Sequence, residues 1–257
     1  MPTIARDGVK LAYEMRGSGT PTLLFVHGWT CDRSFFEPQM QHFTRGNRVV
    51  TVDLRGHGES DKPEGDYPIA TFADDLAHII GTLRLGEVVA VGHSMGGLTV
   101  LQLAVSHPAR VAGIVMLDPA PLAFPPELRA VAEELIATLE AGRHDAQRRF
   151  IEQQMFLKKS TPALVRRVCE VMCGTPAHVA VSAMKGMLAF DGVAAAAQCK
   201  VPALHIAAAQ PFNPPPLMAE RLPGVVTGMT VGAGHFNQLE AADQVNGMIE
   251  GFLRHHL

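Results

Sequence analysis

At 257 residues and 27.6 kDa the chain suits one large domain, or one domain carrying an inserted lid. Hydrophobic residues make up 47% and charged residues 18%, which excludes a disordered chain and permits a sizeable core. The net charge is −3 and no basic run is present to track phosphates, so no nucleic-acid partner is expected.

The first part alternates short β-rich runs with helical ones. Residues 9–14 read as a strand, followed by a turn at Gly17-Ser18-Gly19, and 22–26 as an apolar, buried strand. A short helix over 35–42, a strand over 48–53 and a helix over 69–83 follow. Residues 87–91 form an apolar strand, 95–106 a helix that stops before Pro108, and 111–117 another strand. Apolar strands alternating with helices imply a parallel sheet covered on both faces.

Between Pro119 and Lys200 the pattern is helical throughout, with stretches at 126–141, 144–158, 162–173 and 176–190. Gly142, Ser160-Thr161 and Gly174-Thr175 separate them, and proline opens three of the four. Strands at 203–208 and 225–231 and a helix at 240–253 resume the alternation. The fold class is therefore α/β: a mostly parallel central sheet with helices on both faces. Residues 1–118 and 201–257 form the core, and 119–200 an inserted helical cap. The cap is rich in Met and Phe, most of which pack it to the core. Met155, Phe156, Met184 and Met187, with Phe212 from the core, are the residues expected to line a substrate cleft.

Gly92-His93-Ser94-Met95-Gly96 fits G-x-S-x-G between an apolar strand and a helix. A serine on so sharp a turn sits in strained backbone, and its neighbours two before and two after must lack bulk. Gly92 and Gly96 meet that need. The turn lifts the hydroxyl above the sheet edge, with a helix N-terminus behind it to favour developing negative charge.

Three further segments extend the pattern: Phe25-Val26-His27-Gly28-Trp29, Asp53-Leu54-Arg55-Gly56-His57-Gly58-Glu59-Ser60 and Gly232-Ala233-Gly234-His235. With the serine turn, and in this order, the chain resembles the α/β-hydrolases, including their capped single-domain serine esterases, over nearly its whole length. The resemblance implies that the backbone N–H groups of Trp29 and Met95 form an oxyanion hole. It also implies that His27 and Arg55 brace loops, and that His93 points away from the serine. Of the twelve histidines, His235 is the expected general base, because its glycine-rich loop follows the last strand at the sheet's carboxyl edge.

The acid departs from the commonest family pattern. Residues 201–206 resemble the strand that usually leads to an aspartate, but the chain continues Ala207-Ala208-Ala209-Gln210-Pro211-Phe212-Asn213 without a carboxylate. An amide at Gln210 or Asn213 does not stabilise an imidazolium as a buried carboxylate does. Asp118 ends the strand over 111–117 at the same edge and is the expected acid, ahead of Asp191 and Glu240.

These residues predict acyl transfer from a small to medium, mostly apolar carboxylic ester or lactone, without cofactor or metal. Cys169 and Cys173, one helical turn apart, read as helix packing rather than half of a metal site. Two other classes share the features. Cofactor-free dioxygenases that open N-heteroaromatic rings resemble this chain in His27-Gly28-Trp29 and in an acid like Asp118. They differ where Met95 stands, since they resemble a pattern with histidine there. Carbon–carbon bond hydrolases are weakened by the missing later aspartate. The first seven residues do not read as a signal peptide and no apolar run spans a bilayer, so no membrane partner is expected. The scattered cysteines suggest reduced thiols in a cytoplasm.

Overall fold

The computed structural model describes residues 1–143 and 145–257. Among them are eight strands in one sheet of order β1-β2-β4-β3-β5-β6-β7-β8. The strands are β1 (Thr3–Arg6), β2 (Val9–Arg16), β3 (Thr22–Val26), β4 (Val49–Val52), β5 (Val88–His93), β6 (Val111–Leu117), β7 (Ala203–Ala207) and β8 (Val226–Met229). β1 and β2 pair antiparallel, as do β2 and β4, and the remaining pairings are parallel. The sequence reading lacked β1. The hairpin signal was present: Asp7-Gly8 forms the turn, with φ of 51° and 80°, the left-handed pair that a two-residue hairpin needs.

The central strands read as continuous apolar runs because both faces are buried. Leu23, Phe25, Val89 and Val91 pack with Phe36, Met40, Ile249 and Phe252 on one face. This face is covered by α1 (Glu37–Phe43) and the C-terminal helix (Ala242–His256). Leu24, Val26, Val88 and Ala90 point the other way, into a larger cluster with Leu76, Ile80, Leu98 and Leu101. These belong to α2 (Ile69–Thr82) and α3 (Met95–Ser106).

Between β6 and β7 the chain forms α4 (Pro126–Glu140), α5 (Asp145–Gln154), α6 (Pro162–Cys173), α7 (Ala177–Ala189) and α8 (Gly192–Gln198). α5 ends four residues before the expected position, and its expected first residue, His144, lies outside the described residues. α8 was not expected; it packs against α3, so the chain is back beside the sheet before residue 200. The remaining helices are α9 (Pro215–Arg221), α10 (Asn237–Glu240) and the C-terminal α11. The break at Ala241 between the last two displaces the expected start at Glu240. Among the described residues no single helix is long and apolar enough to cross a membrane.

The strand-to-helix turn at the end of β5 depends on two glycines. A Cβ on Gly92 would lie 2.1 Å from the Gly96 carbonyl oxygen, and one on Gly96 would lie 2.2 Å from that of Val26. Both obstacles are backbone and do not yield as a side-chain tip would. Gly92→Ala and Gly96→Ala are each expected to cost about 3 kcal/mol or more in urea unfolding. Gly247→Ala, on an open face of α11, should instead be neutral or stabilising by up to about 1 kcal/mol. Equal, small effects at all three positions would contradict this packing.

Candidate active site

Ser94 occupies the turn between β5 and α3 with φ 55° and ψ −118°, a conformation that costs a non-glycine residue about 1–3 kcal/mol. Its N–H donates to the Leu117 carbonyl at 3.1 Å, which ties the turn to the end of β6. Met95 is the first residue of α3, so its N–H is one of those left without an intrahelical acceptor. The loop after β3 runs against the same turn: a Cβ on Gly28 would lie 3.0 Å from that of Ser94. The backbone of Gly28 and Trp29 therefore passes directly beside the serine.

The next residue along β6, Asp118, also has positive φ, 36°. Its Oδ2 accepts a 2.7 Å hydrogen bond from His235 Nδ1, and its Oδ1 accepts from Ala208 N–H at 3.1 Å. Both residues are buried. A carboxylate only accepts, so Nδ1 carries the proton and a neutral His235 keeps Nε2 as its free base nitrogen. The imidazole is held from several sides. Its backbone N–H donates to Met155 O at 3.2 Å, His93 Nε2 donates to its carbonyl at 2.8 Å, and Phe212 packs edge-on at 5.1 Å.

The other sequence candidates lie apart from this contact. Asp191 caps α8 by accepting from Ala194 N–H at 2.9 Å. Glu240 reaches the histidine loop only through backbone, accepting from Gly234 N–H at 2.9 Å while also binding Ser160. Gln210 is exposed, and Asn213 is buried beside residues 119–122. Arg55 forms a two-pronged pair with Asp75, at 2.5 and 2.6 Å. His27 donates through Nδ1 to Gly28 O at 2.8 Å and accepts from Leu54 N–H through Nε2 at 3.0 Å. It thus bridges the loops after β3 and β4.

A cavity of about 40 Å³ is bounded by Ser94, His235 and Trp29. Of the five residues expected to line a substrate cleft, Met155, Met184, Met187 and Phe212 border this cavity. Phe156 does not. It packs on Phe236 at 5.2 Å and lines a separate space of about 20 Å³ on the Asp118 side of the imidazole. Sequence reasoning missed Phe124, Leu128 and Ala132, which also line the main cavity. Leu128 and Ala132 lie one turn apart on α4 and Phe124 just precedes it, but on a helix with many exposed charges this pair carried no sign of which face met the serine. The helical segment between β6 and β7 is tied to the loop after β3 by Trp29 Nε1, which donates to Ala180 O on α7 at 2.8 Å, and by Thr175 Oγ1, which donates to Thr30 O at 3.1 Å. A larger open cleft of about 520 Å³, lined by Asp32, Arg33 and Glu59 among others, shares no residue with this cavity.

The model of the alpha/beta hydrolase fold family matches residues 21–157. The chain belongs to that family. It is 40% identical over 135 residues to 2-(acetamidomethylene)succinate hydrolase of Mesorhizobium japonicum, a match covering 52% of this chain and 46% of that protein. Such matches span less than half of the length of the curated relatives, from 30% to 46%. Solved structures align over nearly the whole chain. The enol-lactonase of Burkholderia xenovorans LB400 has a TM-score of 0.90 at 25% identity, covering 98% of this chain and 100% of that one. A thermophilic esterase of Thermogutta terrifontis has a TM-score of 0.86 at 27% identity, covering 99% and 97%.

Several histidines around the site are buried and held neutral. Burial pushes His57 down to about 3 and His205 down to about 4, and lowers His27 and His93 as well. An imidazole depressed in the folded state and ordinary in the unfolded one favours unfolding as pH falls. The loss begins near 6.5 and continues to the folded value, at about 1 kcal/mol per pH unit for each group. His205→Leu should flatten the fall of stability between pH 6 and pH 4 by about that amount. An unchanged slope in urea titrations across this range would contradict a buried neutral His205.

Proposed function

We propose that the protein hydrolyses a small to medium, uncharged and mostly apolar carboxylic ester or lactone through an acyl-enzyme on Ser94. The observation that carries this reading is the 2.7 Å bond from His235 Nδ1 to Asp118, which leaves Nε2 as base beside a cavity that Ser94 also lines. Ser94 Oγ attacks the substrate carbonyl carbon as His235 Nε2 takes its proton. The carbonyl oxygen becomes an oxyanion, which the N–H groups of Trp29 and Met95 stabilise. Collapse of this intermediate breaks the C–O bond, and His235 returns the proton to the departing alkoxide. Water, deprotonated by the same nitrogen, then attacks the acyl-enzyme and frees the acid and the serine. Asp118 holds the imidazole in the productive tautomer and compensates its transient positive charge.

The lining supports the substrate class. Beyond Ser94 and His235, the described side chains around the cavity are Trp, Phe, Met, Leu, Ala and Pro, with no lysine or arginine among them to bind a substrate carboxylate. The relative from Mesorhizobium japonicum is named for a succinate derivative, and such a dianion would have no cationic partner in this cavity. The covering helices α4 to α7 act in this reading as the cap expected over residues 119–200, with a boundary before α8.

Ser94→Ala should abolish turnover of p-nitrophenyl esters while leaving the circular dichroism spectrum unchanged, and a serine-directed phosphonate should label Ser94 alone. Ester turnover surviving in the alanine variant would overturn the assignment. So would oxygen consumption with a hydroxyquinolone in place of ester hydrolysis, the result expected of a cofactor-free dioxygenase.

A further inference from the structure

We infer that Asn213 is a positioning residue for the acid: it fixes the turn after Asp118 and so sets the carboxylate on His235. The inference rests on the reading of Asp118 as the triad acid. Residues 119–122 follow Asp118 into the core and are all buried. Two of the four, Pro119 and Pro121, have no N–H, so this stretch cannot satisfy itself by regular pairing. Its polar groups converge on one side chain. Asn213 Nδ2 donates to the carbonyls of Pro119, at 2.9 Å, and Ala120, at 3.1 Å, while its Oδ1 accepts from Leu122 N–H at 3.0 Å.

Two donors and an acceptor on one short, fully buried side chain describe a primary amide. Aspartate of the same shape would set a negative charge against two carbonyl oxygens. Serine would supply one donor for two acceptors. The strained φ of 36° at Asp118 needs the surrounding chain to hold it, and the grip comes from both sides. Ala208 N–H binds the carboxylate itself, and Asn213 binds the turn that follows. Phe212, between them, packs on the imidazole. The segment after β7, where the family commonly carries its acid, thus serves here to clamp an acid supplied by β6.

The test compares Asn213→Asp, Asn213→Ser and Asn246→Ala. Asn246 is a buried amide on α11 that accepts from Gln39 at 3.2 Å and serves as the control for destabilisation without displacement of the acid. One readout is the downfield proton resonance of the imidazole N–H bonded to carboxylate, assigned by its loss in His235→Gln. The other is the separate kcat and KM for a p-nitrophenyl ester. Asn213→Asp should lose the resonance and at least tenfold in kcat, with a smaller change in KM. Asn213→Ser, which keeps one donor, should weaken both effects and covers the case in which the aspartate variant does not fold. Asn246→Ala should lower Tm while keeping resonance and kcat. Folded Asn213 variants with the resonance intact and kcat within twofold of wild type would overturn the inference, as would equal loss in Asn246→Ala. If the wild type hydrolyses no ester, the function proposed above fails, yet the resonance still reports whether Asn213 sets the Asp118–His235 contact.

Discussion

The hydrogen bond from His235 to Asp118 joins the loop after β8 to the end of β6, across 117 residues of chain, and brings three loops into one site. To make it, β6 must end in a left-handed residue, the loop after β8 must fold back over the sheet edge, and the segment after β7 must lie between them. The local structure follows from these demands. Ser94 N–H binds the carbonyl just before Asp118, so the serine turn and the acid share one anchor. Ala208 offers its N–H to the carboxylate, and His93 and Met155 fix the His235 backbone from the end of β5 and from the segment after α5. A buried carboxylate–imidazole contact is costly to form without such satisfaction of its remaining polar atoms.

Much of the fold was legible because its signals are local. Apolar runs of four to six residues marked strands buried on both faces, and prolines marked the starts of α4 and α6. β1 was missed because four half-exposed residues carry little periodicity, although Asp7-Gly8 announced the turn. α8 was missed because a run of alanines has no amphipathic stripe. In the site, the positions of Ser94 and His235 follow from glycine spacing and sheet topology, and the meeting of Asp118 with His235 follows from the sheet edge they share. The role of Asn213 was not legible. A lone asparagine in a Pro-rich loop reads as turn chemistry, and its three partners lie some ninety residues earlier. Phe156 was misplaced because the expected helix ran to residue 158, whereas α5 ends at Gln154 and Phe156 follows in irregular chain that turns its ring onto Phe236.

The cavity's character follows from the same geometry. Helices α4, α5 and α7 border the serine's cavity with Leu128, Phe150, Met184 and Met187, and the charged residues of α4 and α5 remain on the outer face. Met155, just after α5, meets the site twice, as a wall of the cavity and as the carbonyl that receives the His235 N–H. Exclusion of water by this lining strengthens the electrostatic interactions on which the proposed mechanism depends. It also leaves a carboxylate-bearing substrate without a partner.

In the proposed mechanism the acid comes from the end of β6 in place of the position after β7. The most direct measurement is kcat for Asp118→Asn set beside Gln210→Ala and Glu240→Gln, with stability measured on each. An amide at 118 keeps the shape but neither enforces the imidazole tautomer nor compensates its charge, so kcat should fall by about three to four orders of magnitude. Gln210→Ala and Glu240→Gln should stay within about tenfold of wild type, since the first is exposed and the second acts through backbone. A nearly silent Asp118→Asn, with Glu240→Gln crippling instead, would place the acid elsewhere and contradict the account.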